Sequence, residues 1–299
     1  METLPFEIWG DIFSFACTDD GSTGRSLSAV SRAVHSISKP LKYQSICVVG
    51  PTRLLKLLGV LSALSSDTRR VRYLFIAGPF DFEGGSDGVE TLHADSMMAE
   101  FRPSQESTDN TLSQILNLVS STLFALHLHH TATARPSLLI EIELPALSEL
   151  ALHGPFVSSG SPSETVFPSL RKIHLAHFTF HPTNFLAQIV HAAPRLTHLR
   201  VPQRSFSMYD IQVALGILQP TVSPSDVTRL PRNLKKLVIE KDPIPNFLDS
   251  WASNIRRKQF MQKLQKIVRS DARVALVDGH YDWISVAQAR DQWLDSGGC

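Results

Sequence analysis

A short phrase, apolar-x-x-apolar-x-apolar, recurs through this chain from residue 43 onward and restricts the available folds more than any other feature. It stands as Tyr43/Ile46/Val48, Val71/Leu74/Ile76, Leu123/Leu126/Leu128, Leu147/Leu150/Leu152, Leu170/Ile173/Leu175, Leu196/Leu199/Val201 and Leu234/Leu237/Ile239. A weaker eighth copy is Val274/Leu276, where Asp271 takes the first position. Successive first positions of the seven full copies lie 28, 52, 24, 23, 26 and 38 residues apart. The last two apolar residues of each copy are separated by one other residue, which is the period of a strand with one buried face. A unit of this size cannot bury its apolar face alone, so the copies must stack on one another.

Local punctuation keeps phase with the leucines. Gly50-Pro51, Gly78-Pro79 and Gly154-Pro155 occupy the same two places after the first apolar residue, where they stop the strand. Pro145, Pro168 and Pro194 each stand two residues before the first leucine and steer the chain into the next strand. Between strands, Leu54 to Leu64, Leu112 to Val119, Asn184 to Ala192 and Tyr209 to Leu218 have helix-like spacing. Strand, turn and helix in this order predict an α/β fold, with a parallel sheet and helices on its convex side. Glu83 to Asn110, with Gly84-Gly85, Gly88 and seven acidic side chains, reads as a flexible insert near residues 83–110. The organisation resembles irregular leucine-rich-repeat arrays. The resemblance implies a solenoid over residues 47–277 with its strands on the concave side. The position that is Asn or Cys in regular repeats is here Pro51, Pro79, Thr131, Pro155, Phe178, Arg204 and Asp242, which predicts irregular curvature.

Ahead of the repeats, a helix begun by Pro5 places Ile8, Trp9, Ile12 and Phe13 on one apolar stripe, with Glu7 and Asp11 off it. Leu27, Val30, Val34 and Ile37 predict a second amphipathic segment closed by Pro40. Two or three short helices in so few residues make a core small for independent stability, so burial shared with a partner is expected. Leu4-Pro5-Phe6-Glu7-Ile8-Trp9-Gly10-Asp11-Ile12-Phe13, then Leu27-Ser28-Ala29-Val30-Ser31-Arg32, then Pro40 and Tyr43, resemble an F-box of the kind abundant in fungal proteins. The resemblance covers residues 1–46. It departs from the common pattern in the polar insert Thr18 to Ser26 and in His35 and Tyr43. What it implies is a helical domain that binds a Skp-type adaptor, and through it a cullin-RING ubiquitin ligase, by way of Leu4, Pro5, Ile8, Trp9, Ile12, Phe13, Leu27 and Val30.

The carboxy-terminal part changes character. Phe247 to Val268 predicts one or two helices, and the six basic residues between Arg256 and Arg269 read as a solvated face because the charge balance of the whole chain is neutral. Trp283, Ile284, Ala287 and Trp293-Leu294 predict a last helix, within residues 278–299, that caps the open end of the array. A formal net charge of +1 gives no global field for nucleic acid or an anionic membrane. The three cysteines, Cys17, Cys47 and Cys299, have no paired spacing, and an intracellular site, cytoplasmic or nuclear, is expected.

No motif for catalysis or phosphate cradling is found, so the expectation is a non-catalytic protein without cofactor or metal. His127-x-His129 would share a strand face, but the sequence supplies no third ligand near them. The role implied by the resemblance is substrate receptor of the ligase, with a scaffold lacking any part in ubiquitin transfer as the alternative. If the leucines point inward, His127, His129, Glu149, His153, Lys172, His174, His198, Arg200 and Lys236 face outward on the concave side. Five histidines beside three cations predict a client surface for acidic or phosphorylated segments, with Lys172 and Arg200 as the main charge partners.

Overall fold

The computed structural model describes residues 4–78, 105–130, 142–154, 167–176, 185–203, 208–218, 230–231, 233–241, 251–278 and 285–295. Three helices come first: α1 (Phe6–Ala16), α2 (Ser22–Val30) and α3 (Arg32–Ser38). Then follow β1 (Ser45–Val49), α4 (Pro51–Ala63), β2 (Tyr73–Gly78), α5 (Gln105–Val119), β3 (Ala125–His130), β4 (Glu149–His153) and β5 (Lys172–Ala176). The chain continues through α6 (Phe185–Ala192), β6 (His198–Pro202), α7 (Met208–Ala214), β7 (Lys236–Lys241), α8 (Trp251–Ser270), β8 (Val274–Asp278) and α9 (Val286–Asp295). Among the described residues, eight strands join one parallel sheet in chain order. The protein is therefore α/β, with each strand paired to its predecessor in sequence.

Each copy of the repeated phrase became a strand, the weak eighth included. Register explains why the spacing of the phrase was so constant. Leu74, Leu126, Leu150, Ile173, Leu199, Leu237 and Val274 sit opposite one another along the sheet, so a slip by one residue would turn an entire leucine ladder to the other face. Helices cover that face: Leu54, Leu57 and Leu61 of α4, Ile115 and Leu116 of α5, Ile211 of α7 and Leu264 of α8 join the strand leucines in one core. The phased prolines also have a structural origin. Leu147 N–H donates to the Leu144 carbonyl at 3.2 Å, Leu170 to Phe167 at 3.2 Å and Leu196 to Ala193 at 3.1 Å. Pro145, Pro168 and Pro194 thus each hold the second position of a β-turn, where their fixed φ is favourable.

Four expectations need correcting. The boundary after residue 46 falls inside β1, because the first strand starts at Ser45. The expected insert ends earlier than Asn110: α5 already begins at Gln105, and residues 79–104 lie outside those described. The second amphipathic segment is two helices, broken at Ser31, whose extended backbone (φ −161°, ψ 166°) ends α2 while its hydroxyl accepts from Val34 N–H at 3.2 Å to cap α3. Helix α9 does not pack at the β8 end of the sheet. Its Trp293, fully buried, lies 5.4 Å from Phe75 of β2 and 6.3 Å from His127 of β3, centroid to centroid, on the face opposite the leucine core. The aromatic and small residues there, Tyr73, Phe75, Ala77 and Ala125, make the apolar patch that an amphipathic helix needs.

Candidate partner-binding surfaces

The N-terminal helices are tied firmly to the sheet by polar groups. Gln44, buried just before β1, donates from Nε2 to the Ser14 carbonyl at 2.7 Å and the Cys17 carbonyl at 3.3 Å, meeting two carbonyls at the end of α1. Its own carbonyl accepts from Arg72 and Tyr73 N–H groups at 2.8 and 3.0 Å, so one residue joins helix and sheet. Asp19 accepts from the backbone of Gly21 and Thr23 and from the Ser22 and Thr23 hydroxyls, which opens α2. Burial would raise the Asp19 pKa, but those hydrogen bonds outweigh it and hold the carboxyl below its ordinary value. Gly21 is required here: its φ is +87°, and a Cβ would stand 2.8 Å from the Ser45 carbonyl oxygen. Arg290 of α9 reaches Asp20 at 2.5 Å, so the last helix touches this unit as well.

Against this rigid mounting, one side of the unit is left apolar and wet. Ile8, Ile12 and Phe15 follow one another at helical spacing with relative exposures of 44%, 44% and 83%, and Leu4, Trp9 and Val30 are also exposed. Pro5 is exposed and Leu27 half-buried. Phe13 differs: it is 5% exposed and packs 5.5 Å from Trp9, so it belongs to the internal packing rather than to a docking face. Cys17 is buried as well, and burial followed by the Asp19 charge pushes its thiol up to about 11, leaving it unreactive.

The second surface is the sheet face opposite the leucines. Register brings Glu149, Lys172, His198 and Lys236 into one row, and Ala151, His174, Arg200 and Val238 into the next. The expected residues are thus neighbours, but they divide into three groups. His127 lies under Trp293, and burial first, then the nearby His174, lowers its pKa to about 4. His129 and His153 are buried, with rings 5.9 Å apart, and His153 meets His174 edge-on at 4.8 Å. Lys172, His174, His198, Arg200 and Lys236 remain on the surface.

Two of the expected free cations already have partners. Lys172 pairs with Glu149 at 2.5 Å and Arg200 with Glu240 at 2.6 Å, while His174 Nε2 lies 3.3 Å from the same Glu240 oxygen. The side chains of Glu149 and Glu240 are only 16% and 14% exposed, whereas those of Lys172 and Arg200 are 52% and 42% exposed. The carboxylates form the floor and the cations the outer layer. Burial alone would raise the Glu240 pKa, but the His174 hydrogen bond and the His174 and Arg200 charges hold it below its ordinary value. His198 is also lowered, by burial and then by Lys172, Lys235 and Lys236. As the pH falls through about 6.5, the ordinary imidazole value, positive charge therefore arrives later at His127 and His198 than at an unperturbed histidine.

Compared with models of protein families and with curated proteins, the sequence matches none of them. Among the described residues no group of three or more His, Cys, Asp and Glu side chains is placed to hold a metal ion, and no helix is long and apolar enough to cross a membrane. Two contributors were not singled out from sequence: Gln44 as the joint between helices and sheet, and Arg290 as the link from α9. No periodic signal marks either, since each acts through a partner far away in the chain. Alternation does place Glu240 on the outward face with Lys236 and Val238, but not its role as the hub beneath Arg200 and His174.

Proposed function

We propose that this protein is the substrate receptor of a Skp-cullin-F-box ubiquitin ligase, with α1–α3 as an F-box and the sheet as an irregular leucine-rich-repeat-like solenoid. The observation that carries the reading is the exposed apolar stripe of α1, mounted through Gln44 and Asp19 on a rigid sheet. Contiguous apolar surface of this kind marks a protein-binding site, and the F-box-like residues Leu4, Pro5, Ile8, Trp9 and Ile12 name a Skp-type adaptor as its occupant. The client then docks on the opposite end of the same body, on the strip formed by Lys172, His174, His198, Arg200 and Lys236. An acidic or phosphorylated client segment would meet the outer cations there while Glu149 and Glu240 fix their positions. No residue of the receptor needs to perform chemistry, because holding adaptor and client at a fixed separation lets a ubiquitin-loaded enzyme on the ligase reach client lysines by proximity. Such a role belongs in the cytoplasm or nucleus.

Affinity purification of the tagged chain from its native cell tests the reading. Recovery of the adaptor, the cullin and proteins that accumulate when the ligase is blocked supports it. Recovery of adaptor and cullin with no protein that accumulates on blockade identifies a scaffold instead.

A further inference from the structure

A separate feature lies at the edge of the sheet where β5, β6 and β7 begin. The residues immediately preceding these strands are Arg171, Thr197 and Lys235, brought side by side by the ladder: Thr197 N–H donates to the Arg171 carbonyl and Lys235 N–H to the Thr197 carbonyl, each at 2.8 Å. The turns before β6 and β7 add Arg195, Asn233 and Leu234, and the six residues line an open cavity of about 450 Å³. Among the described residues, three cations and no carboxylate line it. Neighbouring cations are neutralised, Lys172 by Glu149, Arg200 by Glu240 and Arg273 by Asp271. Arg171, Arg195 and Lys235 have no ion pair among the described residues, in a chain whose formal net charge is only +1. Of these three, Lys235 helps to lower the proton affinity of His198, after burial and Lys172.

We infer that this cavity binds a small phosphorylated anion. Two guanidinium groups offer planar forks that match phosphate oxygens in pairs, and a lysine ammonium adds a point charge, a combination suited to a dianion. The Thr197 hydroxyl donates to the Arg171 carbonyl at 2.9 Å, and so braces the wall instead of reaching the ligand. The Asn233 amide is the neutral donor. A volume of about 450 Å³ falls within the range of small-molecule sites, roughly 300–1,000 Å³, and exceeds what a lone phosphate fills. The inference stands independently of the adaptor and client reading.

Isothermal titration of the full chain with pyrophosphate at low salt tests it, with inorganic phosphate and a phosphoserine peptide as the other two titrants. Arg195→Glu combined with Lys235→Glu changes exposed side chains of the cavity. Lys258→Glu combined with Lys263→Glu on α8 makes the same change of net charge at another exposed place. The expected result is saturable binding that the cavity variant weakens by about tenfold or more and the α8 variant by less than about twofold. Tighter binding of pyrophosphate than of the peptide marks a free phosphorylated molecule as the source, and the reverse order marks a phosphorylated protein segment. Absence of saturable binding to all three, or equal weakening by both variants with unchanged circular dichroism, overturns the inference.

Discussion

Phe13 and Phe15 lie two residues apart on α1, yet one is 5% and the other 83% exposed, which makes them a matched pair for separating docking from folding. Full burial of a phenylalanine side chain is worth about 1.5–3 kcal/mol. A partner covering the exposed share of Phe15 would gain about 1.2–2.5 kcal/mol from it, so Phe15→Ala should weaken adaptor binding by about eight- to seventyfold. The small share already buried limits the loss of folding stability to about 0.5 kcal/mol. Phe13→Ala should behave oppositely, costing about 3–5 kcal/mol of stability in the helical unit because it empties a packed position. Surface plasmon resonance against immobilised Skp-type adaptor gives the affinities, and urea unfolding gives the stabilities. An adaptor affinity indifferent to Phe15→Ala, in a protein that Phe13→Ala does destabilise, would remove α1 from the docking surface.

Further consequences follow from the same contacts. Gln44→Leu leaves the Ser14 and Cys17 carbonyls without their donor and should cost about 1–3 kcal/mol in chemical denaturation; an unchanged midpoint would show that the joint carries no strain of this kind. Trp293→Ala should cost about 3–5 kcal/mol locally and free α9, seen as faster hydrogen exchange in β2 and β3; unaltered exchange there would mean that α9 is not held by Trp293. His127 is held neutral by burial, with a folded pKa of about 4 against an unfolded value of about 6.5. The unfolded chain therefore binds more protons between these values, and stability should fall as the pH is lowered from about 6.5 towards 4. Glu240, Asp19, Asp20 and Asp271, all depressed, extend the loss below the ordinary carboxylate range. Replacing His127 by Gln should flatten the upper part of that profile, and an equally steep profile would assign the loss to other groups.

The strands were legible because their apolar positions answer to a single demand, a shared core reached in register, and every copy must meet it. The wet stripe of α1 was legible for the opposite reason: periodicity was clear, and too few residues surrounded it to bury it. Helix α9 was legible as amphipathic, but its expected place at the open end of the array was wrong, because such a helix specifies an apolar patch without saying which. Its target, Tyr73, Phe75 and Ala77, lies far earlier in the chain. Gln105 to Asn110 read as loop since no apolar residue appears until Leu112, although α5 is continuous through them. On the outer face, alternation correctly gathered the histidines and cations. It could not supply the depth that separates buried His153 from exposed Lys172, nor the pairing of Lys172 with Glu149 and of Arg200 with Glu240.

Direct association with the adaptor tests the central claim. The purified full chain and a purified Skp-type adaptor, mixed at micromolar concentration and separated by size-exclusion chromatography with light scattering, should elute as a one-to-one complex. The emission of Trp9, 38% exposed in the free chain, should shift to shorter wavelength as the adaptor covers it. Two separate peaks, with Trp9 emission unchanged, would contradict the assignment of α1–α3 as an adaptor-binding F-box.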